Sequence, residues 1–531
     1  MKRRRKSSAM LRLARAAANA LRSEATSDVS RSKLCRDLLR NTLFNGRPAE
    51  FAAALSKIPI DERHYWIGTF YTLLLDPAVR KEQATYFTPP NLAEVVLDLA
   101  LEAGFDLEKD DVLDPAAGGA AFLSTIAGRA KEEGIKPTEA SYRFNGIEID
   151  RGLAALSRTL IADRLGAKTR RGMIISGDAL KTRIPASYGL VVANPPYGRM
   201  SEAEAAGLPW QEVCHRGHIN KYALFVDLCM RHAKPNGIVA LVIPSSFRAG
   251  PLFSRLRRHI RSECQVLAIG TVAKRNRLFV DVAQDVSVLV LRKGEKHRSD
   301  VPVAFHTIGA PTSSQALAKL PEGVEDPWPL PDQSDEFVGG CTLADWGVDV
   351  RSGYFVWNRQ LDRLETNPAK GTAFPLVWAK NVQPDRLCRP SGKKGHGIDF
   401  VTFEKPSRAI VRGPALVLQR TTNEKQPRRI ISAVVDPNVV KQWGGFTTEN
   451  HTIALTASTQ ERVELLCQLL NTAEVDRRYR RVSGTAAISV SLLRELDLPS
   501  PEAFANALKR CSGDAEEAAR SAYMTSKEAV S

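Results

Sequence analysis

The 531-residue sequence lacks the features of secreted and membrane-spanning chains. It contains no run of eighteen apolar residues, and its first ten residues, MKRRRKSSAM, include no apolar segment of the signal-peptide kind. Its eight cysteines include no C-x-x-C pair, which argues against the common zinc modules and against a disulfide framework. We therefore expect a cytoplasmic protein with no membrane span and no bound metal.

Acidic residues are too few to balance the basic ones. The chain has 75 Lys and Arg against 59 Asp and Glu, a net charge of +16, while 43% hydrophobic and 25% charged residues are typical of globular proteins. Such a basic excess favours a polyanionic partner, most simply nucleic acid, although charge kept for solubility alone is the alternative. The length predicts two or three domains.

The spacing of apolar residues divides the chain into four segments. Residues 1–75 have helical spacing. Residues 76–300 alternate short β-branched runs with helical stretches, which predicts βαβ units and a doubly wound, mostly parallel sheet. Residues 301–345, rich in Pro, Gly, Ser and acids, are predicted as a linker, and residues 346–531 as a mixed α+β domain that ends in one helix and a loose tail.

The tetrapeptide Asn194-Pro195-Pro196-Tyr197 directly follows the apolar strand YGLVVA. Two prolines in a row stop a strand, so a stiff turn is the purely structural interpretation. The chemical interpretation starts from an exocyclic amine, whose two N–H groups need acceptors before its lone pair can attack a methyl donor. The amide oxygen of Asn194 and the carbonyl of Pro195 are such acceptors, and Tyr197 offers a base a flat surface, a contact of about 1–3 kcal/mol.

Upstream strands also end in residues suited to binding a ligand. Asp114 ends a strand, and the glycines at 118–119 permit a tight turn without the spacing of dinucleotide or triphosphate loops. Glu148 ends the next strand, where an acid accepts both hydroxyls of a ribose, while Asp150 has the simpler interpretation of a helix N-cap. Asp178, after a third strand, suits an adenine ring, with a capping role as the alternative.

Taken in order, a set of motifs resembles the gamma class of N6-adenine DNA methyltransferases: YFTPP at 86–90, DPAAGGAAFL, GIEID, GDAL, NPPYG, IPSSF and LFVDVAQDVSVLVLRK. The resemblance covers about residues 65–295 closely and the C-terminal part more loosely. It implies a Rossmann-like S-adenosylmethionine-dependent methyltransferase fold with a C-terminal target-recognition domain. It further implies S-adenosylmethionine as methyl donor and a flipped-out adenine of double-stranded DNA as acceptor.

The resemblance also implies roles for individual residues. It assigns donor binding to Phe87, Thr88, Pro89, Asp114, Ala116, Gly118, Glu148, Asp178 and Ala179. It assigns the target base to Asn194, Pro195, Pro196, Tyr197 and Phe279. The chain departs from the family at Ala120, where a second glycine is usual. The resemblance favours the modification enzyme of a restriction–modification system, which would have a cognate restriction endonuclease as a further partner. A stand-alone enzyme is the alternative role.

Basic clusters are the candidates for phosphate contacts, with a solvated surface as the alternative for each. They are Arg420, Arg428, Arg429, Arg477, Arg478 and Arg480, with Arg255, Arg257, Arg258 and Arg261 in addition. Two other functions stay open: a methyltransferase acting on RNA or on a protein glutamine, because the same acceptors fit any planar amine, and a catalytically silent DNA-binding subunit. The basic region after residue 345 favours duplex DNA. A nicotinamide dehydrogenase is disfavoured by the glycine spacing.

Overall fold

The computed structural model describes residues 2–40, 44–76, 87–170, 172–185, 187–272, 285–309, 315–331, 340–365, 372–388, 400–405, 407–421, 426, 428–483 and 487–528. The chain divides into two compact units. The first comprises Met1–Phe247 with Leu252–Pro327, and the second comprises Arg248–Pro251 with Trp328–Ser531. No helix within the described ranges is long and apolar enough to cross a membrane.

The first unit begins with helices and continues with alternating strands and helices. Its helices are α1 (Lys2–Leu21), α2 (Asp28–Leu39), α3 (Arg47–Leu55), α4 (Ile60–Leu74), α5 (Pro90–Glu102), α6 (Ala121–Glu132), α7 (Pro137–Arg143), α8 (Arg151–Leu165), α9 (Trp210–Val213), α10 (Lys221–His232) and α11 (Ser254–Glu263). Its strands are β1 (Val112–Asp114), β2 (Phe144–Glu148), β3 (Ile174–Ser176), β4 (Tyr188–Ala193), β5 (Arg199–Met200), β6 (Ile219–Asn220), β7 (Ala233–Pro244), β8 (Cys264–Val272), β9 (Val286–Lys293), β10 (Pro302–Ile308) and β11 (Gln315–Lys319).

Among the described residues, nine of these strands form one sheet in the order β11-β10-β8-β9-β7-β4-β1-β2-β3. Neighbours from β3 to β7 are parallel, whereas β9 is antiparallel to both β7 and β8. All six residues of β4 are buried, as expected for a strand covered on both faces. Leu190 and Val192 share a core cluster with Leu92 and Leu123, from α5 and α6. The predicted doubly wound, mostly parallel sheet is confirmed.

The order of strands reverses direction at β1. The chain runs outward from β1 to β2 and β3, then returns to place β4 on the other side of β1. Ligands of such sheets bind beyond the carboxyl ends of the strands at this reversal. Asp114 is the last residue of β1 and Asn194 directly follows β4, so both lie at this edge.

The N-terminal helices pack against one another and against helix α8. Phe51, Phe70 and Tyr71 lie in one buried cluster with Leu153 and Leu156 of α8. The predicted helical character of this segment is confirmed, and its apolar faces are buried within the first unit.

The predicted linker at 301–345 is wrong in its first part, because β10 and β11 extend the sheet there. Val303 and Phe305 are buried, but the outer strand β11 buries no residue completely, and Leu317 is 68% exposed. A short edge strand of this kind carries too few apolar residues to stand out from the Pro- and Gly-rich sequence around it.

The second unit is a mixed α+β domain, as predicted. Its strands are β12 (Asp349–Ser352), β13 (Leu364–Glu365), β14 (Ala373–Val377), β15 (Val382–Gln383), β16 (Arg386–Leu387), β17 (Phe400–Thr402), β18 (Ala415–Gln419), β19 (Ser432–Val434), β20 (Thr447–Thr448) and β21 (Thr452–Thr456). Its helices are α12 (Pro437–Trp443), α13 (Gln460–Leu470), α14 (Ala473–Val482), α15 (Val490–Arg494), α16 (Pro501–Arg510) and α17 (Ala515–Glu528). In its described part, β12-β21-β18-β19 form one sheet and β13-β17-β14-β20 another.

The expected loose tail is instead a helix of this domain. Ala518, Ala522 and Tyr523 of α17 are buried in the same cluster as Phe504 of α16. The hydroxyl of Tyr523 also donates to the backbone carbonyl of Asp497 at 3.0 Å. Small alanines give this helix a weak apolar signal in the sequence, although they let it pack closely.

Candidate functional site

Asn194 is held from both ends of its amide. Its Nδ2 donates to Oγ1 of Thr88 at 3.1 Å, and its Oδ1 accepts from the hydroxyl of Tyr197 at 2.8 Å. An amide oxygen has two lone pairs and can accept more than one hydrogen bond. The structure therefore brings together Thr88, Asn194 and Tyr197, which the sequence predicted as parts of two different subsites.

The ring of Tyr197 is held by other aromatic residues. It packs edge-on against Tyr222 with ring centroids 6.5 Å apart, and Tyr222 packs against Phe253 at 5.4 Å. Burial raises the pKa of Tyr197, so its hydroxyl keeps the proton that it donates. Tyr222 was missed by sequence reasoning, although it opens the apolar helix KYALFVDLCM that follows the NPPY loop. Phe279, predicted to contact the target base, lies outside the described residues.

The two acids at the ends of β1 and β2 are desolvated. Asp114 is 1% exposed, and burial with the nearby charge of Glu148 raises its pKa to about 8. One of its oxygens accepts from the backbone N–H of Ala116 at 3.0 Å. Burial raises the pKa of Glu148 to about 7. Its two oxygens accept from the N–H groups of Gly118 and Asp150, both at 2.9 Å.

The loop after β1 needs small residues. Gly118 and Ala120 both adopt left-handed conformations, with φ of 52° and 56°. A Cβ on Gly119 would lie 2.5 Å from Cε1 of Phe87, so Phe87 packs directly on this loop. Ala120, which replaces the family's usual glycine, thus keeps a glycine-like backbone at a cost of about 1–2 kcal/mol.

Asp150 and Asp178 both bond to local backbone groups. Asp150 caps α8 through the N–H of Leu153 at 2.8 Å, which confirms the capping interpretation. Asp178 accepts from the N–H of Leu180 at 3.0 Å, beside the buried Ala179. Ile149, next to Glu148, is 68% exposed and was not singled out in the sequence. An apolar side chain between two acids at a strand end was the available signal.

Several predicted phosphate-binding arginines instead make contacts within their own unit. Arg478 has a side chain 6% exposed, lies 2.8 Å from Glu474 and stacks 3.9 Å above the ring of Tyr523. Because its side chain is buried, Arg478 is not a phosphate contact, and the prediction for this residue is corrected. The others with acidic partners are Arg428 with Glu516, Arg477 with Glu474 and Arg480 with Asp476, each at 2.6 Å. Arg420 and Arg429 are partly exposed and remain predictions.

The basic helix α11 requires a similar correction. Arg257 and Arg261 are buried, and they donate to backbone carbonyls that include Phe247 and Pro321. Arg255 donates to Gln211 and Cys214, and Arg258 pairs with Glu325 at 2.6 Å. These arginines hold neighbouring loops to the helix, a role that the sequence cannot distinguish from a phosphate-binding one.

Residues 64–318 match the sequence profile of the family described as N-6 DNA Methylase. The chain is 29% identical over 224 residues to the type II methyltransferase M.TthHB8I of Thermus thermophilus, a match covering 39% of this chain and 45% of that protein. It is 19% identical over 412 residues to the type II methyltransferase M.XhoI of Xanthomonas vasicola, covering 66% and 74% of the two chains. The match spans less than half the length of the Thermus relative.

Among solved structures, the chain is similar to the type IIL restriction-modification enzyme MmeI, which was solved in complex with DNA. The TM-score is 0.52 at 14% identity, and the match covers 92% of this chain and 83% of that one. At this level of identity the similarity shows a common fold alone.

Proposed function

Because residues 64–318 belong to the N-6 DNA methylase family, in agreement with the resemblance seen in the sequence, we propose that this protein methylates the N6 atom of adenine in double-stranded DNA. S-adenosylmethionine, when bound, supplies the methyl group. The protein would act as the modification enzyme of a restriction–modification system, a role consistent with the two relatives named as type II methyltransferases. A cognate restriction endonuclease is the further partner that this role implies.

The observation that carries the proposal is the position of Asn194. It lies at the carboxyl end of β4, where the sheet reverses direction, and its amide oxygen is oriented by Tyr197. This oxygen and the carbonyl of Pro195 would accept both N–H groups of the adenine amine. As the nitrogen forms its bond to the methyl carbon and the bond from that carbon to the donor sulfur breaks, the nitrogen gains positive charge, which the two acceptors would stabilise until the extra proton passes to water. No strong general base is needed beforehand.

The residues at the ends of β1, β2 and β3 fit the proposed donor. Each oxygen of Glu148 already accepts one backbone N–H, and a carboxylate oxygen can accept a second hydrogen bond, here from a ribose hydroxyl. Asp114 and the glycine loop would border the methionine end. Ile149 would place an apolar surface against the adenine ring of the donor. Asp178 would form a hydrogen bond to the same ring.

The target adenine is out of reach inside a duplex, so the protein would flip it out of the helix. Flipping costs roughly a few kcal/mol, which stacking on Tyr197 and hydrogen bonds to Asn194 would offset. The second unit would bind the rest of the duplex, with Arg420 and Arg429 as the predicted phosphate contacts that stay partly exposed.

The test is long-read sequencing of DNA from a host without adenine methylation that expresses the full chain, scored for modified adenine. Modified adenines within one short motif would support reaction, substrate and specificity together. Cells that express the Asn194→Ala variant are the control and should contain unmodified DNA. An unmodified genome in cells with soluble wild-type protein, together with methyl transfer to RNA or protein in vitro, would overturn the proposal.

A further inference from the structure

We infer that one face of α4 is part of the donor site, and that Tyr71 on this face is a positioning residue for Glu148 and the glycine loop. The inference rests on the proposed function, because it takes the ligand held by Glu148 to be S-adenosylmethionine. The face consists of His64, Gly68 and Tyr71. Each of these residues contacts a different part of the site.

The spacing of these residues places them on one side of the helix. Residues at i, i+4 and i+7 align along a helix with 3.6 residues per turn. The remaining sides of α4 are occupied elsewhere, since Ile67 and Phe70 are fully buried in the N-terminal core. Tyr71 belongs to the same buried cluster, so its ring packs in this core while its hydroxyl bonds to Asp150.

Tyr71 begins a chain of hydrogen bonds that ends at the glycine loop. Its hydroxyl donates to Oδ1 of Asp150 at 2.6 Å, and the N–H of Asp150 donates to Oε1 of Glu148 at 2.9 Å. The other oxygen of Glu148 accepts from the N–H of Gly118 at 2.9 Å. Burial raises the pKa of Tyr71, so its hydroxyl keeps the donated proton. Tyr71 therefore holds Asp150 in place, and Asp150 in turn orients the carboxylate of Glu148.

The packing beside this chain leaves little room for movement. A Cβ on Gly152, in the first turn of α8, would lie 2.4 Å from the hydroxyl oxygen of Tyr71 and 2.3 Å from the carbonyl oxygen of Asp28. The start of α8 is thus held directly between α2 and α4.

Gly68 contacts the site through Phe87. A Cβ on Gly68 would lie 3.3 Å from Cε1 of Phe87, and the same ring atom lies against Gly119. The ring is therefore held between a glycine of α4 and a glycine of the donor loop. The next residue, Thr88, accepts from Asn194, so a shift of Phe87 reaches both proposed subsites.

His64 supports the other end of the loop. It is 4% exposed, with Nδ1 3.1 Å from Oγ of Ser124 in the first turn of α6 and Nε2 3.0 Å from Oδ2 of Asp163 near the end of α8. His64 also borders a cavity that reaches Thr88 and Gly119. Through the contacts of His64, Gly68 and Tyr71, α4 lines one side of the glycine loop.

The test replaces Tyr71 by Phe in the full chain, which removes the hydroxyl and keeps the buried ring. We expect the Kd for S-adenosylmethionine, measured by calorimetry, to rise about fivefold to tenfold, the size of one ordinary hydrogen bond, because the lost bond acts on the donor only through Asp150 and Glu148. The KM for the donor should rise similarly, with kcat and the Kd for DNA nearly unchanged. The matched control is Tyr523→Phe, which removes a buried hydroxyl bonded to Asp497 in the second unit and should leave donor affinity unchanged.

A second variant separates positioning from stability. Gly68→Ala raises helix propensity but adds a tight contact with Phe87, so the two effects should offset and the temperature of thermal unfolding should change little. The added methyl group presses on Phe87, and we expect about threefold weaker donor binding. A merely structural role for α4 predicts that stability and affinity change in the same direction.

The outcomes distinguish this inference from the proposed function. A wild-type chain that binds S-adenosylmethionine while Tyr71→Phe and Gly68→Ala bind it equally tightly overturns the inference alone. A folded wild-type chain that does not bind S-adenosylmethionine overturns the proposed function and the inference with it. Weaker binding by both variants, with Tyr523→Phe unaffected, supports the inference.

Discussion

The hydroxyl of Tyr197 donates to the amide oxygen of Asn194 over 2.8 Å, across a turn of two prolines. The same hydroxyl lies 3.1 Å from the carbonyl of Val242, so the neighbouring strand β7 also positions it. The tyrosine therefore has two functions in the proposed site. Its ring offers a stacking surface, and its hydroxyl fixes the acceptor that the amine needs.

These two functions are separable by substitution. Tyr197→Phe keeps the ring but removes the hydrogen bond to Oδ1 of Asn194, so we expect kcat to fall about tenfold with little change in the KM for DNA, the effect of one lost hydrogen bond. Tyr197→Ala removes the ring as well and should also weaken binding of the flipped base by about 1–3 kcal/mol. Steady-state methylation of a defined duplex measures both. Equal losses in the two variants would contradict a separate contribution of the ring.

Asn194→Ala removes the acceptor itself. We expect the methylation rate to fall by a factor of about 100 to 1000 or more, because stabilisation of the developing charge is lost. Donor binding should remain within about twofold of wild type, since no proposed donor contact is removed. Calorimetry with S-adenosylmethionine provides the control. Methylation at the wild-type rate would show that the acceptor is assigned to the wrong residue.

Asp114 makes the stability of the donor-free protein depend on pH. Its pKa is about 8 in the folded state and near 4 when unfolded, so the folded state retains a proton that the unfolded state releases between these values. The free energy of unfolding should therefore fall as pH rises from about 4 to 8, and Glu148, with a pKa of about 7, adds to this fall.

The substitution Asp114→Asn tests this dependence. It removes the ionisable group and keeps an oxygen that accepts from Ala116, so the gain in unfolding temperature over wild type should be larger at pH 8.5 than at pH 5. Calorimetric unfolding at the two pH values measures the difference. Parallel shifts at both values would contradict a buried, proton-retaining carboxyl.

Arg478 and Arg420 should respond differently to truncation. Arg478→Ala removes a buried guanidinium that packs on Tyr523, so we expect the free energy of unfolding to drop by about 2 kcal/mol or more. Arg420→Ala should leave unfolding within about 0.5 kcal/mol of wild type and reduce the salt dependence of DNA binding by about one ion. Unchanged DNA binding in Arg420→Ala would remove this residue from the proposed interface.

DNA binding should weaken steeply with salt. Phosphate contacts release counterions from the DNA. For an interface with several such contacts, we expect the affinity for DNA to fall by about tenfold or more between 50 and 200 mM salt. Fluorescence anisotropy with a labelled duplex measures the slope. Binding of S-adenosylmethionine at the same salt concentrations is the control, and it should change little. A flat response for DNA would contradict binding through the basic excess of the chain.

The sequence was sufficient for features that depend on local pattern. Alternating apolar segments predicted the doubly wound sheet, because strands buried on both faces need continuous apolar runs. The NPPY segment predicted the proposed acceptor, since its chemistry lies in four consecutive residues. Asp150 was recognised as an N-cap because capping is a local interaction.

Features that depend on distant contacts were not predictable in this way. The hydroxyl of Tyr71 bonds to Asp150, which is 79 positions away in the sequence, so the residues near Tyr71 give no sign of this contact. The outermost strand β11 escaped because a strand at the margin of a sheet buries few residues. In the sequence, an arginine that stacks on a tyrosine, such as Arg478, cannot be distinguished from an arginine that binds phosphate.

The sequence by itself determined the class of fold and the residues that carry the proposed chemistry, because both are written in short runs whose physics is local. The tertiary structure decided which charges are buried, which helices support the donor loop, and how the hydroxyl of Tyr197 meets Asn194. These depend on the free energy of burial and on hydrogen bonds between segments, which exist only once the chain has folded and excluded water from between them.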